Sequence, residues 1–152
     1  MTVVHDGIRA DLLHAIAQVA CAATGGRSAS VALCDHMTDE LVFVAVAGEG
    51  EDAGELLGGR FGCDVGYAGQ VFHTGASIEV HDLWHQPRFA REIAAEVGAE
   101  PDAIAVVPIV HGGAIAGVLS VLDPGDDPLP ALMTLAAHAT AALDVCAALA
   151  RT

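Results

Sequence analysis

The sequence predicts an α+β fold in which a central antiparallel sheet of five or six strands carries the N- and C-terminal helices on one face and a ligand cleft under a lid on the other. Apolar residues at helical spacing occupy both ends of the chain, and two pairs of strand-like segments lie between them. A long connection separates the two pairs. Residues 1–152 are therefore expected to form a single domain.

The first part of the chain is predicted to contain a helix and a β-hairpin. Apolar residues recur every three or four positions over residues 8–23, and two glycines end this segment. Segments 28–33 and 41–47 are apolar and flank a polar turn, as the strands of a hairpin do. We interpret the acidic residues of 48–59 as a solvated loop and not a metal site, because nothing fixes the geometry of their carboxylates.

Residues 66–82 are predicted to form a corner around which the rest of the chain is organised. Gly66 and Gly69 open a short helical pattern, and Gly75 ends it in the left-handed conformation that glycine adopts at little cost. Residues 77–80 then have the composition of a short strand. A helix joined so tightly to a strand leaves a concave corner, and such corners hold ligands.

The last part of the chain is predicted to contain a lid, a second hairpin and a long helix. The connection 84–102 is long enough to be a functional lid. Segments 103–110 and 115–122 are predicted strands, and a proline in the first indicates an edge or a bulge. Asp126 and Asp127 before Pro128 predict an acidic cap for a last helix that runs to about residue 150.

The composition excludes several classes of protein. A net charge of −14 without any lysine argues against nucleic-acid partners and against anionic membranes. No uninterrupted apolar run is long enough to span a membrane, and the N-terminus lacks the basic region of a signal peptide. A cytoplasmic location is therefore expected.

The four cysteines predict no disulfide framework, because none of them has C-x-x-C spacing and the chain is rich in core residues. Cys21 and Cys146 fall in helical patterns and are expected to be small core residues. Cys63 lies beside the predicted corner and is a candidate site residue.

Aromatic and arginine residues concentrate around the corner. Of the six aromatic residues, five lie between positions 61 and 89, and three of the six arginines flank the same segment. Rings and guanidinium groups together suit a planar or anionic small molecule. The alternative is that the rings belong to the core and the arginines are solvated. The candidate ligand-binding residues are Arg60, Cys63, Tyr67, Phe72, His81, Asp82, Trp84, His85, Arg88 and Phe89.

Two of these candidates, His81 and His85, have a spacing that would suit zinc on a helix. Here they fall at a strand end and in a loop. We therefore interpret them as polar lining of the pocket, and no metal is predicted.

An ordered series of motifs along the chain resembles the GAF domains, which are small-molecule sensor modules related to PAS domains. The series comprises Gly66-x-x-Gly69-x-Val71-x-x-Thr74-Gly75, Val80-x-Asp82, Pro87-Arg88-Phe89, Val107-Pro108-Ile109 and Gly113-x-Ile115-x-Gly117-Val118-Leu119-x-Val121-x-Asp123. The resemblance implies a central sheet with terminal helices on one side, and ligands on the other side under residues 60–102.

This chain lacks the residues that characterise several ligand-binding classes of the family. Cyclic-nucleotide members carry an Asn-Lys…Phe…Asp-Glu series after the last strand, where this chain has Asp123-Pro124 and Leu129. Haem-binding members carry a lid histidine, and residues 92–104 contain none. Bilin-binding members and the free methionine-(R)-sulfoxide reductases carry lid cysteines, and residues 83–102 contain none. Haem, bilin and cyclic nucleotide are therefore not expected, and the identity of the ligand stays open.

The resemblance implies a non-enzymatic sensory or regulatory domain that binds a small molecule and signals through its terminal helices. The expected partners are a second copy, through the first and last helices, and a signalling output domain or protein. One alternative is a dimerisation module without ligand. The other is a sulfoxide reductase, in which Cys63 would have to be deprotonated and resolved by Cys34.

Overall fold

The computed structural model describes residues 2–48, 56–86 and 101–151, with side chains from residue 7 onward within those ranges. The predicted lid falls largely on residues 87–100, outside the described residues.

The described strands form one antiparallel sheet of six strands in the order β3-β2-β1-β6-β5-β4. The strands are β1 (Ser28–Asp35), β2 (Glu40–Gly48), β3 (Arg60–Gly62), β4 (Ile78–His81), β5 (Ala103–His111) and β6 (Ala114–Leu122). The two predicted hairpins, β1–β2 and β5–β6, meet through the pairing of β1 with β6 at the centre of the sheet. The α+β fold class is thus confirmed.

Two long helices, α1 (Thr2–Thr24) and α3 (Leu129–Ala150), pack against each other and on one face of the sheet. Strand residues whose side chains point to this face alternate with residues that point away, as the two-residue period of a strand requires. The fully buried side chains of this core include Leu13, Val31, Val107, Leu119 and Leu132.

The shorter helix α2 (Gly66–Thr74) lies on the opposite face, over β5 and β6. Val71 is fully buried there among Leu41, Val106 and Val118. Gly75 ends α2 with φ +73°, and its N–H donates to the carbonyl of Val71 at 2.8 Å, as predicted. A 3₁₀ turn (Leu83–His85) follows β4.

Three details differ from the sequence prediction or refine it. The edge strand β3 was not predicted, because three residues are too few to show a period. A bulge between Ile109 and Val110 accompanies the proline of β5, as expected. Pro108 itself lies beyond Val106, the last residue of β5 that pairs with β4. The acidic cap of the last helix is wrong: α3 starts at Leu129 with Pro128 in the cap position and no side-chain cap hydrogen bond.

Helix α3 has the length and composition of a membrane-crossing helix, with 22 residues and a mean hydropathy of 1.6 over its most apolar window. A third of that window is buried inside the domain. Residues such as Leu132 and Ala139 pack in the core beside α1 and β5. Core helices of folded domains commonly share this composition.

Candidate functional site

A cleft lies between α2 and the sheet face opposite the terminal helices. Its cavity volume is about 120 Å³. The described lining residues are Ser28, Ala29, Ser30, Ala32, Phe43, Val46, Leu56, Phe61, Val65, Gly66, Tyr67, Ala68, Pro101, Ile104, Val118, Ser120 and Leu122. From the predicted corner, the described lining includes Gly66, Tyr67 and Ala68 but no residue of 69–82.

Aromatic rings wall one side of the cleft. The rings of Phe43 on β2 and Phe61 on β3 lie 5.1 Å apart between centroids and are tilted by 39°. Tyr67, in the first turn of α2, also lines the cleft. Such tilted ring pairs are favourable beyond their buried area and make a rigid apolar wall.

Serine residues from two central strands form the cleft floor. Ser30 on β1 lies directly opposite Ser120 on β6, and Ser28 lies two positions before Ser30, on the same face of the strand. Within the described part of the chain, no hydrogen bond joins these three hydroxyls to another side chain or to the backbone. They are donors and acceptors that a ligand can use.

No charged side chain belongs to the described lining of the cleft. The described lining residues with polar side chains are the three serines and Tyr67. The described lining therefore suits an uncharged, mostly apolar molecule, and it contributes no charged partner for an ion.

Arg60 lies outside the cleft lining, on the exposed edge strand β3. Its Nη1 donates to Asp35 Oδ2 at 2.8 Å and lies 3.5 Å from Glu40 Oε1. The hydrogen bond from Arg60 lowers the pKa of the Asp35 carboxyl, and the N–H of Met37, which also bonds to it, acts in the same direction. The guanidinium group is thus engaged at the β1–β2 turn, away from the serines.

Cys63 and Phe72 lie beside a second depression, which we call the thiol groove. Its lining residues are Cys34, His36, Asp39, Cys63, Asp64, Phe72 and His73. Cys63 is buried, and its Sγ lies 3.8 Å from Cys34 Sγ. The pKa of the Cys63 thiol is raised to about 11, mainly by burial and secondly by the contact with Cys34.

The histidines of the corner form local pairs with carboxylates. His81 Nε2 lies 2.8 Å from Glu79 Oε2, and His85 Nδ1 lies 2.7 Å from Asp82 Oδ1. Both histidines are exposed, and Glu79 is half-buried. Within residues 2–48, 56–86 and 101–151, no group of three or more His, Cys, Asp or Glu residues is placed to hold a metal. Trp84 is half-buried in the 3₁₀ turn.

Of the candidates that the sequence singled out, Tyr67 is the one that the structure places in the described cleft lining. Cys63 and Phe72 share the thiol groove, whereas Arg60 and the pair Asp82–His85 lie apart from both. Arg88 and Phe89 lie outside the described residues. A ligand-binding role for these side chains stays a prediction.

Sequence reasoning missed the floor of the cleft. Serines at positions 28 and 30, with the apolar Ala29 between them, signal a strand with one polar face, and Ser120 continues the pattern on β6. Phe43 was missed because it lies far along the chain from the other aromatic residues, although strand pairing brings it against Phe61.

Comparison with known proteins agrees with this architecture. The family description that matches residues 9–151 is the GAF domain. The GAF domain of a phosphoenolpyruvate-protein phosphotransferase from Coxiella burnetii is similar with a TM-score of 0.80 and 22% identity, over 95% of this chain and 87% of that one. A free methionine-R-sulfoxide reductase from Neisseria meningitidis has a TM-score of 0.74 and 22% identity, over 93% and 81%. The second GAF domain of DevS from Mycobacterium smegmatis has a TM-score of 0.72 and 22% identity, over 94% and 98%.

Proposed function

The chain belongs to the GAF domain family, and we propose that it is a non-enzymatic sensory or regulatory domain whose cleft binds a small uncharged molecule. The observation that carries this proposal is the cleft itself: an apolar hollow with two phenylalanine rings on its wall and serine hydroxyls on its floor. Concave, mostly apolar pockets with a few convergent polar groups are the usual form of small-molecule sites.

The size of the cleft limits the ligand. Its volume of about 120 Å³ lies below the range of roughly 300–1,000 Å³ of pockets for drug-sized ligands. An engineered apolar cavity of about 150 Å³ accommodates benzene. We therefore expect a ligand no larger than a single ring with a short substituent.

The charge of the lining sets the chemistry of the ligand. A buried ion without a partner costs several kcal/mol, and the described lining offers no charged partner. Serine hydroxyls and a tyrosine can instead orient an alcohol, amide or ketone. This ligand differs from the anionic molecule that the arginines suggested: Arg60 is engaged with Asp35, whereas Arg88 lies outside the described residues.

Strands β1 and β6 provide a route from the cleft to the helices. Ser30 and Ser120 face the cleft, whereas their neighbours Val31 and Leu119 are fully buried in the core that α1 and α3 cover. A ligand that prefers one position of these strands would shift the packing of both helices. The helices would pass the change to a second copy or to an output partner.

Titration calorimetry with three probes of equal size tests the ligand class: benzyl alcohol, benzoate and benzylammonium. Benzyl alcohol is expected to bind, and each ion to bind at least about 100-fold more weakly, because every 1.4 kcal/mol of unpaired-charge cost is a factor of ten. The variant Arg60→Ala is the control and should bind benzyl alcohol as the unaltered protein does.

Two results would contradict the proposal. Benzoate binding as tightly as the alcohol, with the affinity lost in Arg60→Ala, would support an anionic ligand held by arginine. No binding of any of the three probes would favour the alternative of a dimerisation module without ligand.

The sulfoxide reductase alternative has one observation in its favour, the placement of Cys34 next to Cys63. The other requirement, a deprotonated nucleophile, is opposed by the burial that raises the pKa of Cys63 to about 11. Turnover of free methionine sulfoxide by the unaltered protein, abolished by Cys63→Ser, would establish the reductase.

A further inference from the structure

The thiol groove brings together two cysteines that are far apart in the chain. Cys34 is the penultimate residue of β1, and Cys63 is the first residue after β3. Strand β2 lies between them, and its Leu41 pairs with Cys34 on one side and with Phe61 on the other. The N–H of Cys63 donates to the carbonyl of Asp39 at 3.3 Å, which holds Cys63 against the β1–β2 turn.

The two sulfur atoms are in contact. Their distance of 3.8 Å is close to a van der Waals contact, and a disulfide needs about 2.05 Å. Rotation of a cysteine side chain about its Cα–Cβ bond moves the sulfur through distances of this order. The approach needed for a covalent bond is therefore within reach of side-chain motion with modest adjustment of the backbone.

The groove is accessible to a small reagent from the side of Cys34. Four of its lining residues, His36, Asp39, Asp64 and His73, are exposed, and its volume is about 480 Å³. Cys34 is half-buried, whereas Cys63 is 8% exposed. A molecule that enters the groove can therefore reach Cys34 more easily than Cys63.

The surroundings give the two thiols different roles. Cys34 is half-buried at the open side of the groove, and its Sγ lies 3.7 Å from His36 Nδ1. Burial keeps the Cys63 thiol protonated at neutral pH because its pKa is raised to about 11. Cys34 is thus suited to attack first, and Cys63 to resolve the product from within the protein.

We propose that Cys34 and Cys63 form a reversible dithiol–disulfide couple whose oxidant is a low-molecular-weight disulfide. In the first step Cys34 Sγ attacks one sulfur of the reagent, the S–S bond breaks, and the released thiolate takes a proton. In the second step Cys63 loses its proton to solvent and attacks Cys34 Sγ, and the second half of the reagent leaves as a thiol. The reagent is reduced to two thiols while the two cysteines lose two electrons and form one S–S bond.

The couple lies where it can act on the last helix. Cys34 and His36 also line a hollow of about 290 Å³ whose other side includes Leu143 and Cys146 of α3. A bond from Cys34 to Cys63 would tie the end of β1 to the residue after β3. The redox site is separate from the cleft, so its outcome does not depend on the proposed ligand.

Tryptic mapping after equilibration of the full chain with increasing ratios of oxidised to reduced glutathione tests the couple. Cleavage after Arg27, Arg60 and Arg88 places Cys34 in peptide 28–60 and Cys63 in peptide 61–88. We expect the native protein to lose two hydrogen atoms, to yield these two peptides linked, and to recover its mass on return to reduced glutathione. The control variant, with both Cys21→Ser and Cys146→Ser, should behave identically.

Single variants separate the two roles. Cys63→Ser should stop at a mixed disulfide between Cys34 and glutathione, whereas Cys34→Ser should stay unmodified because Cys63 is buried. The proposal is overturned if peptides 28–60 and 61–88 become linked only under denaturing conditions, if the link involves Cys21 or Cys146, or if Cys34→Ser is modified as fast as Cys63→Ser.

Discussion

At the scale of single residues, the face on which a side chain lies decides its role more than its position in the sequence. Ser30 and Ser120 come from distant parts of the chain, yet strand pairing puts their hydroxyls side by side on the cleft floor. Arg60 is next to Phe61 in sequence, but the strand sends the ring into the cleft and the guanidinium group to Asp35.

The Asp35–Arg60 pair predicts a pH dependence of stability. The folded-state pKa of Asp35 is lowered from 3.8, so the pair stabilises the fold above that pH and its contribution is lost as the pH falls through the lower folded-state value. We expect Asp35→Asn to lower the melting temperature slightly at pH 7 and to have no effect at a pH below both values. The amide oxygen of asparagine can still accept the hydrogen bond from the N–H of Met37.

Thermal unfolding of Asp35→Asn, Arg60→Ala and the double variant measures this coupling. At pH 7 the effect of Asp35→Asn should be smaller in the Arg60→Ala background, because the partner is already absent. A larger effect of Asp35→Asn at acidic than at neutral pH would contradict the assignment.

At the scale of secondary-structure elements, the parts predicted correctly are those whose requirements are local. Helix α2 could be predicted because the glycines at its two ends are required by the local backbone conformation, with positive φ at Gly66 and Gly75. Strand β3 could not, because three residues form a strand only when β2 is already in place to pair with them. The predicted acidic cap of α3 was wrong although two local signals, the aspartates and the proline, agreed. The helix begins after Pro128, so both acidic side chains lie outside it.

Gly69 tests the close approach of α2 to the preceding turn. A Cβ atom there would lie 2.6 Å from the carbonyl carbon of Asp64 and 2.8 Å from the carbonyl oxygen of Cys63. We expect Gly69→Ala to reduce the free energy of unfolding by about 1–3 kcal/mol, as overpacking does, and to weaken binding in the cleft that α2 covers.

Gly7→Ala is the matched control, because Gly7 is helical and exposed and a Cβ atom at this position would have no neighbour within 4 Å among the described residues. It should leave the free energy of unfolding unchanged or raise it by up to about 1 kcal/mol. Urea denaturation compares the two variants, and equal effects would show that backbone contact does not limit position 69.

At the scale of the whole molecule, the fold class and the order of the elements other than β3 were predictable because they follow from hydrophobic periodicity along the chain. The cleft chemistry was not, because it depends on which strands become neighbours.

The outer surface of α1 and α3 is a second feature of the whole molecule. It presents an apolar groove lined by Leu12, Ala15, Ile16, Val19, Leu135, His138, Ala141, Ala142 and Val145.

This groove supports the proposed homodimer. Val19 and Val145 are about half exposed there, and none of the lining residues carries a carboxylate, in a protein with a net charge of −14. The groove lining itself would therefore bring no carboxylate of one copy against a carboxylate of the other. An isologous dimer would place Val145 of each copy in the interface.

Val145→Glu is expected to weaken the dimer at least about 100-fold, since the interface would bury two unpaired carboxylates. Sedimentation equilibrium gives the dissociation constant. Met133→Glu is the control, because Met133 is equally exposed on α3 but faces a different hollow, beside Pro108. A monomeric unaltered protein, or equal weakening by both variants, would contradict an interface at this groove.

Ligand-induced stabilisation of a cleft-filled variant tests the central claim most directly. With benzyl alcohol at about 100 times its dissociation constant, the unaltered protein should gain roughly 2.7 kcal/mol, or about 5–10 °C in melting temperature. Ser30→Leu fills the floor of the cleft and should melt cooperatively without any such gain, whereas Arg60→Ala should gain as much as the unaltered protein. An equal gain in Ser30→Leu, or no gain in the unaltered protein, would contradict binding in the cleft.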